Sequence, residues 1–238
     1  MRVAELWRYP VKSLRGERLE AGELGPHGLH GDRQWAIFDV ETGLGLTARR
    51  EPELLHAAAR VRDDGGVEIT IPDGSVAADD AALSAWLGRP VELRDAGDTR
   101  RRRYENPEDI ETESAESWYV FEGSDAAFHD SLAVTLLSVQ TAGDAALARF
   151  RANVVLDTGG EDELVGSTVR VGAALLRVAE RVPRCVMVTR PQPGGIGVDR
   201  DVLRRIHRER DGKLAVGAVV VRPGTVRVGD RLEVDAAV

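Results

Sequence analysis

Short apolar segments separated by glycine and proline turns run through most of this chain of 238 residues. Gly25-Pro26, Asp64-Gly65-Gly66 and Pro223-Gly224 are examples of these turns. Apolar runs between such residues favour strands, and many short strands favour a barrel or a sandwich. Three stretches carry helical signals instead, at residues 79–87, 141–150 and 199–210. We therefore predict an α+β, β-rich fold with a few helices.

The predicted strands differ in burial. The segment 34–40 is largely apolar on both faces, as in a strand that is covered on both sides. The full set of predicted strands lies at residues 3–7, 19–24, 34–40, 55–61, 67–71, 91–94, 133–139, 153–157, 168–171, 174–179, 214–222, 225–228 and 231–234.

A polar, charged stretch at residues 96–130 interrupts this pattern. Trp118, Tyr119 and Phe121 make it too apolar for a free coil. Loops of such length in a compact protein often carry functional residues. We predict one unit at residues 1–95, a junction of loops at 96–130 and a second unit at 131–238.

The net charge of −8 argues against a sequence-independent grip on nucleic acid or on anionic lipid, because both need a positive field. No apolar run approaches the ~20 residues of a membrane span, and the first residues do not form a signal peptide. The sequence therefore predicts a cytoplasmic protein without nucleic-acid or membrane partners.

Cys185 is the chain's one cysteine, which excludes an internal disulfide, an all-cysteine zinc site and a cysteine-ligated iron–sulfur cluster. It follows Pro183-Arg184 in a short apolar run that predicts a strand. A guanidinium beside a thiol favours the thiolate, the form that attacks or binds a metal. A buried core cysteine remains the alternative, and a Cys-His nucleophile has no supporting signature here.

Three polar clusters contain the groups that bind a phosphate or a pterin: guanidinium forks, an ammonium, a hydroxyl and an amide. They are Lys12-Ser13 after the first predicted strand, Asp32-Arg33 before the third, and Arg149-Phe-Arg-Ala-Asn153 at a helix-to-strand junction. The glycine-rich stretches match no nucleotide-binding motif, and His27 and His30 lack a third zinc ligand.

The order of six motifs resembles the MOSC family, which is named after molybdenum cofactor sulfurase C-termini and includes the mitochondrial amidoxime-reducing component. Tyr9-Pro-Val-Lys-Ser13, Gly31-Asp-Arg33 and Thr47-Ala-Arg49 are similar to the N-terminal MOSC β-barrel module. Arg149-Phe-Arg-Ala-Asn153, Arg184-Cys185 and Pro223–Asp230 are similar to the MOSC domain. The resemblance covers nearly the whole chain and implies that the first module packs on a second β-barrel domain with a few helices.

This resemblance implies a molybdenum cofactor (Mo-molybdopterin) with Cys185 as the thiolate ligand to the metal and as the catalytic residue. By the same similarity, the cofactor's phosphate and pterin are held by Lys12, Ser13, Arg33, Ser131, Arg151, Asn153 and Arg184.

The implied function is an oxidoreductase that removes oxygen from N-hydroxylated small molecules with two electrons. The electrons would come from a separate donor protein, a flavin or iron–sulfur reductase. Thr189-Arg190-Pro191 differs from the sequence that follows the cysteine in the amidoxime reducers, so the resemblance does not imply the same individual substrate. The alternative is a non-catalytic carrier of the cofactor or of persulfide sulfur.

Overall fold

The computed structural model describes residues 1–99, 101–107, 117–123 and 127–235, and strands dominate them. The strands of the first half are β1 (Val3–Arg8), β2 (Glu17–Leu19), β3 (Ala21–Gly25), β4 (Gly28–Leu29), β5 (Trp35–Asp39), β6 (Ala58–Val61), β7 (Val67–Thr70), β8 (Val76–Ala77), β9 (Val91–Asp95), β10 (Arg103–Pro107) and β11 (Trp118–Glu122). The strands of the second half are β12 (Val134–Ser138), β13 (Val154–Leu156), β14 (Thr168–Val171), β15 (Ala174–Pro183), β16 (Lys213–Arg222), β17 (Gly224–Arg227) and β18 (Leu232–Val234). The predicted α+β, β-rich fold is confirmed.

Helical segments are few and short. The α-helices are α1 (Asp80–Leu87), α2 (Val139–Ala142) and α3 (Arg200–Arg210), and 3₁₀ turns lie at Pro52–His56, Leu147–Phe150, Glu161–Leu164 and Val186–Thr189. Within the described ranges, no helix has the length and apolar character needed to cross a membrane.

The largest sheet contains eight strands and joins the two halves of the chain. Its order is β18-β14-β15-β16-β12-β13-β1-β2, so two N-terminal strands complete a sheet that is otherwise C-terminal. β1 pairs antiparallel with β13 and places Leu6 opposite Val154. The long strands β15 and β16 pair with three register shifts, which bend a sheet and increase its twist. The sheet thus crosses the predicted boundary between residues 1–95 and 131–238, and that division remains a prediction.

Aliphatic side chains fill the space that this sheet encloses. Leu6, Leu136, Leu156 and Val216, from four strands, are buried in one cluster. Burying one such side chain contributes roughly 1.5–3 kcal/mol. Because the cluster draws on both halves of the chain, the N-terminal strands and the C-terminal sheet stabilise each other.

Two of the three predicted helices are confirmed, and each begins at an aspartate N-cap. Asp79 accepts a hydrogen bond from the Ala82 amide at 2.9 Å and begins α1. Asp199 accepts from the Asp201 amide at 3.1 Å and begins α3. Side-chain oxygens at this position satisfy amides that the first helical turn leaves unpaired.

The predicted helix at 141–150 is wrong. Ser138 accepts from the Thr141 amide at 3.0 Å, so α2 begins before the predicted start. Gly143, with φ 61° and ψ −136°, then ends α2 after one turn, because this backbone conformation cannot continue a right-handed helix. The chain resumes as the 3₁₀ turn Leu147–Phe150, which leads directly to Arg151.

Two further predictions need correction. Pro52 begins a 3₁₀ turn that buries Leu54 and Leu55, so the strand predicted at 55–61 starts only at Ala58. The junction at 96–130 contains the antiparallel hairpin β10–β11 rather than loops alone. Tyr104 lies opposite Phe121 in this hairpin, with their ring centroids 5.6 Å apart, and cross-strand aromatic pairs stabilise such pairing. Residues 100, 108–116 and 124–126 of the junction lie outside the described residues.

Candidate functional site

One cavity of about 370 Å³, here called the main cavity, is lined by all eight of the predicted catalytic and cofactor-binding residues. Five segments contribute them: the turn after β1, the turn before β5, the segment before β12, the 3₁₀ turn before β13, and the end of β15. Residues from both halves therefore share one wall. Those predicted from the sequence are Lys12, Ser13, Arg33, Ser131, Arg151, Asn153, Arg184 and Cys185.

The backbone of this wall is strained. Among the described residues, Ser13, Arg33 and Arg151 are three of the five non-glycine positions with positive φ, at 69°, 48° and 52°. Each such residue costs of order 1–3 kcal/mol, and this strain clusters at functional sites. The surrounding hydrogen bonds must hold these turns in place.

Lys12 is almost fully buried, at 3% exposure. Its Nζ donates to the Phe128 carbonyl oxygen at 3.1 Å and to Asp130 Oδ1 at 2.5 Å. Burial lowers the pKa of Lys12, and Asp130 opposes this effect. Burial alone would raise the pKa of Asp130, but Lys12 and Arg49 hold it well below its usual range. Asp130 is therefore a carboxylate at neutral pH.

Tyr9 organises two of the guanidinium groups. The Cζ atoms of Arg33 and Arg151 lie 4.5 and 4.4 Å from its ring centroid. Arg33 Nη2 donates to the Arg151 carbonyl oxygen at 3.0 Å, and Arg151 Nη1 donates to the Leu14 carbonyl oxygen at 2.5 Å. Burial, assisted by Arg33, lowers the pKa of Arg151 to about 10. Arg151 remains charged at neutral pH, and an anion nearby would favour that charge.

Arg184 fixes the approach to Cys185. Its Nε donates to the Leu214 carbonyl oxygen at 2.7 Å and its Nη1 to the Phe150 carbonyl oxygen at 2.9 Å. Its Nη2 is buried without a hydrogen-bond partner among the described residues. Burial lowers the pKa of Arg184 to about 10, while Cys185 opposes the change.

The strand predicted around Cys185 is wrong. β15 ends at Pro183, whose partner Lys213 is the first residue of β16, so no neighbouring strand continues beyond that pair. Cys185 instead begins the 3₁₀ turn Val186–Thr189, and its carbonyl oxygen accepts from the Val188 amide at 3.2 Å. Cys185 is partly exposed rather than a core cysteine.

Arg49 is a functional candidate that the site prediction missed, although Thr47-Ala-Arg49 belonged to the resemblance. Its Nη1 donates to Asn106 Oδ1 at 2.6 Å, and its Nη2 lies 3.6 Å from Asp130 Oδ2. Burial by itself would lower the pKa of Arg49, but Asp130 and Cys185 raise it above its ordinary value. Arg49 thus brings a cation from the N-terminal half to the thiol.

Arg149 and His129 also line the cavity without having been predicted as site residues. Arg149 Nη1 donates to the carbonyl oxygens of Val188 and Arg190, both at 3.0 Å, and its Nη2 donates to that of Gly197 at 2.6 Å. Arg149 therefore holds the segment that follows Cys185. No local sequence pattern predicts these contacts, since the acceptors of Arg149 are backbone atoms about 40 residues away along the chain.

Positive charge dominates the cavity wall. Asp130 is the one carboxylate among its lining residues, and Asp32, which is not on the wall, accepts from Arg33 Nη1 at 2.5 Å. The six lining cations are Lys12, Arg33, Arg49, Arg149, Arg151 and Arg184. A buried excess of cations is unfavourable unless an anion compensates it. The arrangement suits an anionic ligand with a soft atom near the thiol.

Comparison with known protein families agrees with this geometry. A model described as the MOSC N-terminal beta barrel domain matches residues 1–106, and one described as the MOSC domain matches residues 126–233. The chain is a MOSC-domain protein. The two matches together span most of this MOSC protein and include all eight predicted site residues.

The MOSC protein is similar to several curated proteins. Molybdenum cofactor sulfurase of Drosophila willistoni is 25% identical over 93% of this chain and 31% of that protein. Mitochondrial amidoxime reducing component 2 of Bos taurus is 30% identical over 40% of this chain and 32% of that protein. The alignments thus span about a third of the length of these relatives. The match to the crystal structure of the YUAD protein from Bacillus subtilis covers 98% of this chain and 94% of that chain, with 13% identity and a TM-score of 0.44.

The first prediction concerns the pH dependence of stability. Burial lowers the pKa of His129 to about 4, against about 6.5 when unfolded, so the unfolded state binds more protons between these values. The free energy of unfolding should therefore fall by about 3 kcal/mol from this group as the pH drops from 7 to 4. Urea unfolding of His129→Gln should show a flatter pH profile, whereas the exposed-residue control His27→Gln should follow the parent. Equal slopes in all three proteins would contradict the assignment.

The second prediction tests the role of Arg149. Arg149→Gln removes the donor to three carbonyl oxygens, of which that of Val188 belongs to a buried residue. The loss should cost about 1–3 kcal/mol of stability and loosen the segment after Cys185. Since the chain has one cysteine, alkylation by iodoacetamide reports on Cys185 alone, and its rate should rise about 3–10-fold. Arg8→Gln, which breaks an ion pair with Glu17 away from the cavity, is the control. An unchanged alkylation rate in Arg149→Gln would show that Arg149 does not hold this segment.

Proposed function

We propose that this MOSC protein binds the molybdenum cofactor in the main cavity and reduces N-hydroxylated small molecules, with Cys185 as the protein ligand to molybdenum. The observation that carries the proposal is that six cations share one cavity with the chain's one thiol. The relatives named molybdenum cofactor sulfurase and mitochondrial amidoxime reducing component 2 support this class of cofactor.

The residues present fit such a group. Arg184 Nη2 is a buried donor without an acceptor, and so is Arg49 Nε, among the residues that the structure describes. Phosphate oxygens accept hydrogen bonds from guanidinium groups and would also offset the excess positive charge. A thiolate is the soft ligand that suits a metal of this kind. The positive charge, the unpaired hydrogen-bond donors and the thiol therefore favour the same ligand class, a phosphate-bearing cofactor with a soft metal.

When bound, the cofactor supplies two-electron redox chemistry at molybdenum, while the protein supplies binding, orientation and electrostatics. Lys12, Arg33 and Arg151 would offset the phosphate charge. Ser13 Oγ accepts from the Ala48 amide at 3.0 Å, which leaves the hydroxyl hydrogen free to donate. Ser131 lines the same wall and offers a second hydroxyl.

Asn153 has a different role from the other predicted residues. Its Oδ1 accepts from the Thr135 amide at 3.2 Å and from the Thr135 hydroxyl at 3.1 Å, and its Nδ2 donates to the Trp7 carbonyl oxygen at 3.2 Å. Its amide therefore joins β1, β12 and the start of β13. We propose that Asn153 positions the wall between Arg151 and the sheet rather than donating to the cofactor.

Reduction of an N-hydroxylated substrate consumes two electrons and two protons and releases water and the N–H product. A cysteine-ligated iron–sulfur cluster cannot form on these residues, because they include one cysteine. We therefore propose that a separate flavin or iron–sulfur reductase delivers the electrons to this MOSC protein.

The third prediction tests cofactor binding. Protein expressed in a host that makes the cofactor should contain molybdenum by elemental analysis and pterin by fluorescence. Cys185→Ser should lose most of the molybdenum because its oxygen is a poorer ligand than a thiolate. Arg8→Gln should keep both. A parent protein without molybdenum, or unchanged loading in Cys185→Ser, would contradict the proposal.

The alternative function is a carrier of the cofactor or of persulfide sulfur. It is favoured by the match of 93% of this chain to about a third of a molybdenum cofactor sulfurase, and by the partial exposure of Cys185. Loaded protein supplied with a reductant and a hydroxylamine distinguishes the two functions. Sustained reduction supports the enzyme. Release of cofactor or sulfur to an acceptor protein without turnover supports the carrier.

A further inference from the structure

A second cavity, of about 150 Å³, adjoins the main cavity at Arg151, which lines both. Trp7 and Tyr9, two residues apart at the end of β1, form part of its wall. Gly16 allows the turn to pack closely against β1, since a Cβ at this position would lie only 2.1 Å from the Arg8 carbonyl oxygen. The cavity is thus built into the turn between β1 and β2.

The charge of this second cavity is positive and uncompensated. Arg15 and Arg151 both line it, and its lining residues include no carboxylate. Arg15 Nε is buried without a hydrogen-bond partner among the described residues. Arg151 Nη1 donates to the Leu14 carbonyl oxygen, so Arg15 is the guanidinium here whose buried donor still lacks an acceptor within the described part of the chain.

Gln192 adds a neutral donor to the same wall. Its side chain is buried, at 6% exposure, and its Nε2 has no hydrogen-bond partner among the residues that the structure describes. The Gln192 amide donates to the Ile196 carbonyl oxygen at 2.8 Å, which anchors the turn that carries the side chain. A buried donor without an acceptor costs about 1–3 kcal/mol, so an oxygen-bearing ligand would be favoured here.

The rest of the wall is aromatic and aliphatic. The rings of Trp7 and Tyr9 are stacked, with centroids 6.4 Å apart and planes 21° from parallel, and Leu147 and Val155 complete the apolar surface. A cavity of ~150 Å³ accommodates a ring of the size of benzene. Inorganic phosphate would satisfy the donors but leave the apolar surface uncovered.

We propose that the second cavity binds a small planar carboxylate of the size of benzoate. The carboxylate pairs with Arg15 and accepts from Gln192, while the ring packs beside Trp7. Among the described residues, Arg151 is the one lining residue that this site shares with the main cavity, and the proposal does not depend on the molybdenum cofactor or on the proposed reduction.

Calorimetric titration of the full chain with sodium benzoate tests the proposal. Benzoate should bind saturably, while benzamide, which keeps the shape without the charge, and acetate, which keeps the charge without the ring, should bind at least 10-fold more weakly. Arg15→Gln should weaken benzoate binding at least 10-fold. Gln192→Leu, which retains the bulk of the side chain without its donor, should weaken benzoate binding several-fold. If Arg15→Gln does not fold, the affinity of Gln192→Leu tests the proposal.

Arg184→Gln, in the main cavity, is the matched control and should change benzoate affinity less than twofold. Absence of saturable binding would overturn the proposal. Benzoate affinity in both Arg15→Gln and Gln192→Leu that equals the affinity of the parent protein would also overturn it. Loss of binding in Arg184→Gln alone would place benzoate in the main cavity and would also overturn it.

Discussion

Placing six buried or partly buried cations around one cavity is the constraint on which the rest of the structure depends. In the part of the chain that the structure describes, three of them, Arg149, Arg151 and Arg184, are held by neutral groups alone. The other three share two carboxylates, because Lys12 and Arg49 lie beside Asp130 and Arg33 lies beside Asp32. Arg149 and Arg184 donate to backbone carbonyl oxygens, and Arg33 and Arg151 lie against the ring of Tyr9. Neutral acceptors fix a guanidinium without cancelling its charge. The cavity therefore keeps a positive potential although the chain as a whole carries a net charge of −8.

The fold makes this arrangement possible by joining the two halves of the chain. β1 completes the sheet beside β13, so the turn after β1 and the turn before β13 meet at one edge. Lys12 and Arg151 come from these two turns. The positive φ angles of Ser13, Arg33 and Arg151 are the local cost of directing the chain around the cavity, and the buried aliphatic cluster of the large sheet offsets it.

Local patterns predicted most of the strands and two of the helices, because glycine and proline turns and N-cap residues such as Asp79 act over a few residues. The helix at 141–150 failed where the conformation of Gly143 ended it. Residue chemistry indicated most of the eight site residues, but only the order of the short motifs predicted that they act together, and the structure places all of them at the main cavity. The contacts of Arg49 and Arg149 could not be predicted, because their partners are distant in sequence and many are backbone atoms.

The central claim is that the main cavity holds a molybdenum cofactor by its positive charge and by Cys185. Diffraction from crystals of the loaded protein, measured on both sides of the molybdenum absorption edge, tests it most directly. The account predicts one anomalous peak within bonding distance of Cys185 Sγ, with the cofactor's phosphate against the cationic wall. A molybdenum peak elsewhere, or a cavity that holds a phosphate-containing ligand without molybdenum at Cys185, would contradict it.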